Sequence, residues 1–167
     1  MTESAAIWED INALVPWGDN PRINDHAVEN VANSIKRFGF ASPIVARLAD
    51  KMVIAGHTRL KAARSLGLDK VPVRYLDIDP ADAKMLALAD NKIGELSAWD
   101  NDVLSQLLQD LKDQGEDLSV TSFSSHELED LLGGPEDFAA KEGEEISVGA
   151  FNDFNHMCPR CGFEWDE

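Results

Sequence analysis

The stretch MVIAGHTRLKAARSLG, Met52–Gly67, decides the fold. It opens on four β-favouring residues and turns on Gly56. It then continues as a regular mixture of basic and aliphatic residues up to Leu66, with Gly67 as the stop. The reading is strand, glycine turn, helix. At such a junction the first N–H groups of the helix lack intrahelical partners, and the helix dipole adds partial positive charge, so an anion is favoured there. Gly56 lets the backbone come close to a ligand. Thr58 offers a hydroxyl, and Arg59 offers a forked donor set suited to phosphate. The plainer alternative is a simple turn followed by a solvated face of Arg59, Lys61 and Arg64. Lys61 and Arg64 lie farther along the helix and are read as solvated in either case. The G-x-x-x-x-G-K-[ST] pattern of a phosphate-binding P-loop is absent.

Working outward, PIVARL (Pro43–Leu48) and MVIA (Met52–Ala55) are β-rich and separated by ADK, which predicts a hairpin. VPVRYL (Val71–Leu76) predicts a further strand. On the N-terminal side, INALVPW (Ile11–Trp17) reads as a strand followed by the loop GDNPRIND. Val28, Val31, Ile35 and Phe38 then recur at helical spacing, with Asn24 or Asp25 able to cap and Gly39 as the stop. On the C-terminal side, Asp79-Pro80 is a helix start, and Met85, Leu86, Ala89 and Ile93 are its expected apolar face. Trp99-Asp100 opens another helix with Val103, Leu104, Leu107, Leu108 and Leu111 on one side. Ser124 and Glu127 have capping-box spacing before a short helix.

With 167 residues and 44% hydrophobic composition the chain can bury a proper core. No apolar run approaches a membrane span, and MTESAAIWED does not read as a signal peptide, so a cytoplasmic protein with no membrane partner is expected. The net charge of −16 is unevenly spread. Residues 1–75 hold 10 Lys and Arg against 8 Asp and Glu, whereas residues 76–167 hold 5 against 23. A bulk electrostatic grip on nucleic acid is therefore disfavoured, and any anion must be held locally, by the first half.

The order NPR (Asn20–Arg22), a helix ending SIKRFGF, the strand PIVAR, then VIAGHTRLKAARSLGLDKVPV resembles the N-terminal domain of the ParB family, in the ParB/sulfiredoxin superfamily. The resemblance covers roughly residues 8–98. Its most specific element is G-x-x-R-x-x-A-A after a strand, followed by L-G and V-P-V. It implies an α+β fold with a small mixed sheet and packed helices, and a site for a nucleoside triphosphate. Carried onto this chain, it implies nucleotide contacts from Arg22, Gly56, His57, Thr58, Arg59 and Asn91. It also implies Mg²⁺ held at the Asp90–Asn91 pair of LADNKIGEL, where carboxylate and amide oxygens suit the ion. His57 and Asp90 are the candidates for catalysis, His57 because its pKa lies near neutrality.

Three departures qualify the resemblance. Partition proteins usually have G-E-R-R where this chain has G-H-T-R, which leaves the base of the nucleotide and its hydrolysis open. Gly94 stands where the second motif often has Arg. Sulfiredoxins need a cysteine in the turn, and none is present, so sulfinate reduction is excluded. Residues 100–132 show two helices and no basic recognition helix, so no DNA-reading module is expected there, and direct DNA binding is left open.

The implied organisation is a ParB-like domain at 1–98, a helical extension at 99–134, an acidic linker at 135–155 and a knuckle at 156–167. In the knuckle, CPRC has the spacing of half a zinc site, with His156, Cys158 and Cys161 as Zn²⁺ ligands; free thiols and a redox pair are the alternatives. The short domain resembles those of phage and prophage proteins. The function expected is an NTP–Mg²⁺-binding protein, with weak hydrolysis as a candidate activity, in a DNA-related phage or mobile-element process. The alternatives are a non-catalytic adaptor for a DNA methyltransferase or packaging enzyme, a small-molecule kinase, and a nuclease. A homodimer is compatible with each.

Overall fold

A computed structural model describes residues 5–133 and the two short strands at 156–157 and 164–165. The sheet is built from β1 (Ile7–Asp10), β2 (Ile44–Arg47), β3 (Val53–Ala55) and β4 (Lys70–Leu76), in the order β1-β4-β2-β3. β1 runs antiparallel to β4, β4 parallel to β2, and β2 antiparallel to β3, the expected hairpin. Five helices follow the order of the sequence: α1 (Val28–Phe38), α2 (His57–Ser65), α3 (Pro80–Gly94), α4 (Asn101–Asp113) and α5 (Ser125–Leu132). This is the α+β architecture, a small mixed sheet with packed helices, that the sequence predicts.

The sheet is covered on both faces, which is why Val53 and Ile54 are both buried although adjacent strand residues point opposite ways. On one face Ile44, Ala46, Val53, Val71 and Val73 pack with Leu60 and Ala63 of α2. On the other, Ile54 meets Ala83 and Ala87 of α3, with Trp17, Val45 and Leu76 around them.

Three readings of the sequence are corrected. Ile11–Trp17 is not a strand. Asp10 ends β1, its carboxylate accepts the Asn12 N–H at 2.7 Å, and Ile11–Ala13 form a single 3-10 turn. The chain then crosses to the far edge of the sheet, where Val15 bridges beside β3 through Val15 N–H to Lys51 C=O (3.0 Å) and Val53 N–H to Val15 C=O (2.8 Å). Neither Asn24 nor Asp25 caps α1 with its side chain: a 3-10 turn, Asp25–Ala27, leads into the helix instead. Finally, α3 buries Ala83 and Ala87, while Met85, Leu86 and Ile93 of the expected apolar face are exposed. The small alanines let the helix backbone approach β3, so the docking face is set by size rather than by hydrophobicity.

The helix caps are largely as read. Asp79 accepts from Ala81 and Asp82 N–H, Asp100 accepts from Val103 N–H, and Ser124 with Glu127 completes the capping box. α4 buries Leu104 and Leu108 but leaves Val103 and Leu107 exposed. The Arg37–Glu116 ion pair, at 2.6 Å, ties the segment after α4 to the end of α1. The expected acidic linker and the thiols Cys158 and Cys161 lie outside the described residues. The backbones of β5 (His156–Met157) and β6 (Glu164–Trp165) pair antiparallel. No helix among the described residues is long and apolar enough to cross a membrane.

Candidate functional site

Gly56 is the pivot of the site. It sits at φ +95° and ψ 26°, in the left-handed region that glycine adopts without a steric penalty. A Cβ at this position would lie 3.3 Å from Cζ and Nε of Arg59 and 3.4 Å from the Ile44 Cα. The guanidinium of Arg59 therefore lies against the bare glycine backbone, which is the physical meaning of the G-x-x-R spacing. No side chain caps α2, so its leading N–H groups are left to a ligand or to solvent. Arg59 Nη1 donates to the Pro43 carbonyl at 2.5 Å, which fixes one corner of the fork. Burial pushes the Arg59 pKa down, while the charge of Asp90 acts the other way. An arginine remains a cation throughout.

All seven residues expected at the site line one cleft of about 270 Å³. Arg22 enters from the loop before α1; Gly56, His57, Thr58 and Arg59 from the turn and first helical residues of α2; Asp90 and Asn91 from α3. Sheet order explains the convergence. β2 and β3 place the glycine turn at one end of the sheet, and α3, docked by its alanines on Ile54, brings its second half alongside. The Asn91 side-chain N–H donates to the Ala87 carbonyl at 2.7 Å, which orients the amide and leaves Oδ1 as an oxygen donor beside the Asp90 carboxylate. The cleft opens into a wider hollow of about 750 Å³ that shares Arg22, Thr58 and Asn91 and adds Lys92 and Glu95. Together these have the dimensions of a site for a molecule of nucleotide size.

His57 has a partner that the sequence did not suggest. Its Nε2 accepts the Trp17 N–H at 3.3 Å, which requires a neutral ring with the proton on Nδ1. Burial, and secondarily the charge of Lys61, holds its pKa below the usual histidine value. The imidazole thus pins the Val15–Trp17 crossing segment onto the start of α2. A pKa lowered by folding means that the unfolded chain binds the proton more readily, so stability is lost as pH falls through and below about 6.5. The thermal midpoint is expected to drop between pH 7.5 and 5.5, a window above the range in which carboxylates titrate. The drop should shrink in His57→Asn, and an equal drop in both proteins would remove His57 as its source.

Lys61 is exposed, as the sequence predicts, but it is also paired. Its ammonium donates to the side-chain oxygens of Asn24 (2.9 Å) and Asp25 (2.5 Å), pinning the Arg22 loop across α2. The one available signal was its position one turn after His57. Arg64 remains exposed. Arg22 itself is held by an ion pair to Glu95, Nη1 to Oε1 at 2.9 Å, a partner the sequence reading also missed.

Residues 10–92 match the ParB N-terminal domain. The ParB-like nuclease domain-containing protein YnaK of Escherichia coli (strain K12) is 39% identical over 75 residues, which are 42% of this chain and 80% of that protein. The chain belongs to the ParB N-terminal domain family. The probable plasmid-partitioning protein ParB of Thermus thermophilus is 38% identical over 73 residues, 42% of this chain but only 25% of that protein. The match with the partitioning relatives therefore spans about a quarter to a third of their length. Among solved structures, the C-terminally truncated ParB of Caulobacter crescentus complexed with CTP-gamma-S superposes with a TM-score of 0.59 at 18% identity, covering 88% of this chain and 89% of that one. At that identity the likeness establishes the shared fold.

Residues 102–151 match the ParB-methyltransferase HTH domain. This overturns the expectation that no such module follows the ParB-like domain. That expectation rests on charge: α4 carries Asp102, Asp110 and Asp113 against Lys112, the reverse of a basic recognition helix.

Proposed function

We propose that this ParB-family protein binds a nucleoside triphosphate in the cleft between the Gly56 turn and α3, as one component of a DNA-related process of phage or mobile-element type. The convergence of an uncapped α2 N-terminus, Arg59 and Arg22 with the oxygen donors of Asp90 and Asn91 carries this reading. Anion-binding groups and cation-binding groups face one space, which suits a polyphosphate accompanied by Mg²⁺. The donor set fits the ion: a carboxylate and an oriented amide oxygen are hard ligands, and Mg²⁺ commonly takes few protein ligands and completes its shell with phosphate and water. When bound, the ion would neutralise phosphate charge. The α2 amides, Thr58 and Arg59 would orient the phosphates, and Arg22 would close over them from the loop. The nucleotide of the Caulobacter relative makes CTP the first candidate.

Binding is placed ahead of hydrolysis. With its Nε2 accepting from Trp17, His57 is better suited to positioning than to proton transfer, and Asp90 is left as the candidate catalytic group. A panel of ATP, CTP, GTP and UTP, each with and without Mg²⁺, read by thermal shift on the full chain, tests the assignment. At least one nucleotide should raise the midpoint by several degrees, more with Mg²⁺, and no shift with any of them sinks it. The same preparation tests the C-terminal proposal, Zn²⁺ on His156, Cys158 and Cys161: zinc should copurify and be lost in Cys158→Ser, and its absence from the wild-type chain would refute the site.

A second reading is a non-catalytic adaptor for a DNA methyltransferase. The match of residues 102–151 to a ParB-methyltransferase HTH domain favours it. Retained methyltransferase binding by a protein that shifts with no nucleotide would select this reading over the first.

A further inference from the structure

Glu95 sits at the C-cap of α3 and lines the wider hollow outside the narrow cleft. One of its carboxylate oxygens accepts from Arg22 Nη1 at 2.9 Å and the other from Lys92 Nζ at 3.0 Å. A polyphosphate seated at the Gly56 turn would draw on these same two cations, because Arg59 already has one corner fixed on Pro43. We propose that Glu95 is an intramolecular stand-in for the distal phosphates of a nucleotide: it neutralises Arg22 and Lys92 and is displaced when a polyphosphate enters. This rests on the nucleotide reading and adds to it a residue that restrains polyphosphate affinity.

Two observations separate this role from simple tethering. The loop that carries Arg22 is anchored without Glu95, by Lys61 on Asn24 and Asp25, and is shaped locally by the Arg22 N–H on the Asn20 side chain at 3.1 Å. Removing the Glu95 charge should therefore leave the loop in place and release the cations. Both members of the Arg22–Glu95 pair are also about half exposed, so the pair is exchangeable and its loss costs the fold little. A single phosphate held at the α2 N-terminus can leave the pair intact, whereas a longer phosphate chain reaches it.

The test is calorimetry on the full chain with CTP, CMP and inorganic tripolyphosphate, comparing wild type, Glu95→Gln, Arg22→Gln and the double variant. Glu95→Gln should bind CTP and tripolyphosphate about two- to fivefold more tightly, a gain sized by an exposed ion pair. CMP should change less. The gain should shrink in the Arg22→Gln background to the part carried by Lys92, the second cation on the Glu95 carboxylate. Unchanged or weaker polyphosphate binding in Glu95→Gln, or equal tightening of CMP and CTP, overturns the role of Glu95 alone. Failure of all three ligands to bind any form overturns the nucleotide reading and this proposal with it.

Discussion

Arg59→Ala is expected to weaken nucleotide binding about 10- to 100-fold, the loss that follows removal of a charge-assisted, forked hydrogen-bond donor from a partly buried site. Arg59 lies against Gly56 and is half buried, so its remaining donors are pre-oriented and little ordering entropy is lost when an anion arrives. Arg59→Lys should restore only part of the affinity, because an ammonium keeps the charge but cannot hold Pro43 and a phosphate in one plane. Calorimetry measures the binding, and circular dichroism checks the fold. The Ala variant also leaves the Pro43 carbonyl without its donor, which is expected to cost about 1 kcal/mol of stability. Unchanged affinity in Arg59→Ala would remove the glycine turn as the phosphate site.

Gly56→Ala should be the most damaging single-methyl change in the cleft. It forces a Cβ into a φ of +95° and within 3.3 Å of Arg59 and 3.4 Å of the Ile44 backbone. The side chain of Arg59 can give way by a few tenths of an ångström and the Ile44 Cα is at ordinary contact distance, so the stability cost is that of the left-handed backbone. A loss of about 1–3 kcal/mol is expected from the strain, lowering the midpoint by roughly 5 °C or more. Displacement of Arg59 adds a binding defect of the same order as Arg59→Ala. Gly56→Val should be worse in both respects, and a wild-type melt for Gly56→Ala would show that the turn tolerates other geometries. The comparison with Gly67→Ala is instructive: Gly67 also has a positive φ, of +67°, but open space where a Cβ would lie, so strain alone acts there and nucleotide binding should be unaffected.

Much of the fold was legible because local chemistry and global structure agree over residues 43–80. The hairpin, the glycine turn, the end of α2 at Gly67 and the Asp79-Pro80 start are each specified by the residues at those positions. The errors fall where a tertiary contact overrides the local pattern. INALVPW has strand composition, but Asp10 caps a 3-10 turn, and Val15 pairs with β3 rather than within a continuous strand. On α3 the largest apolar residues do not mark the buried face, because close approach to Ile54 selects Ala83 and Ala87.

The sequence by itself determined which chemistry the cleft could contain: a left-handed glycine before a helix, an arginine three residues on, and an acid–amide pair on a later helix. Those choices depend on backbone φ, on spacing along one helix and on donor type, all of which are local. Only the tertiary structure decided what each group is already doing. Trp17, forty residues before His57, turns that histidine into a hydrogen-bond acceptor for the backbone. Asn24 and Asp25 engage Lys61, and Glu95, 73 residues after Arg22, holds the arginine that a phosphate would need. These partners meet because the sheet order and the seating of α3 bring distant segments to one end of the fold, and a charge free in sequence is paired in space wherever such packing puts an opposite group within reach.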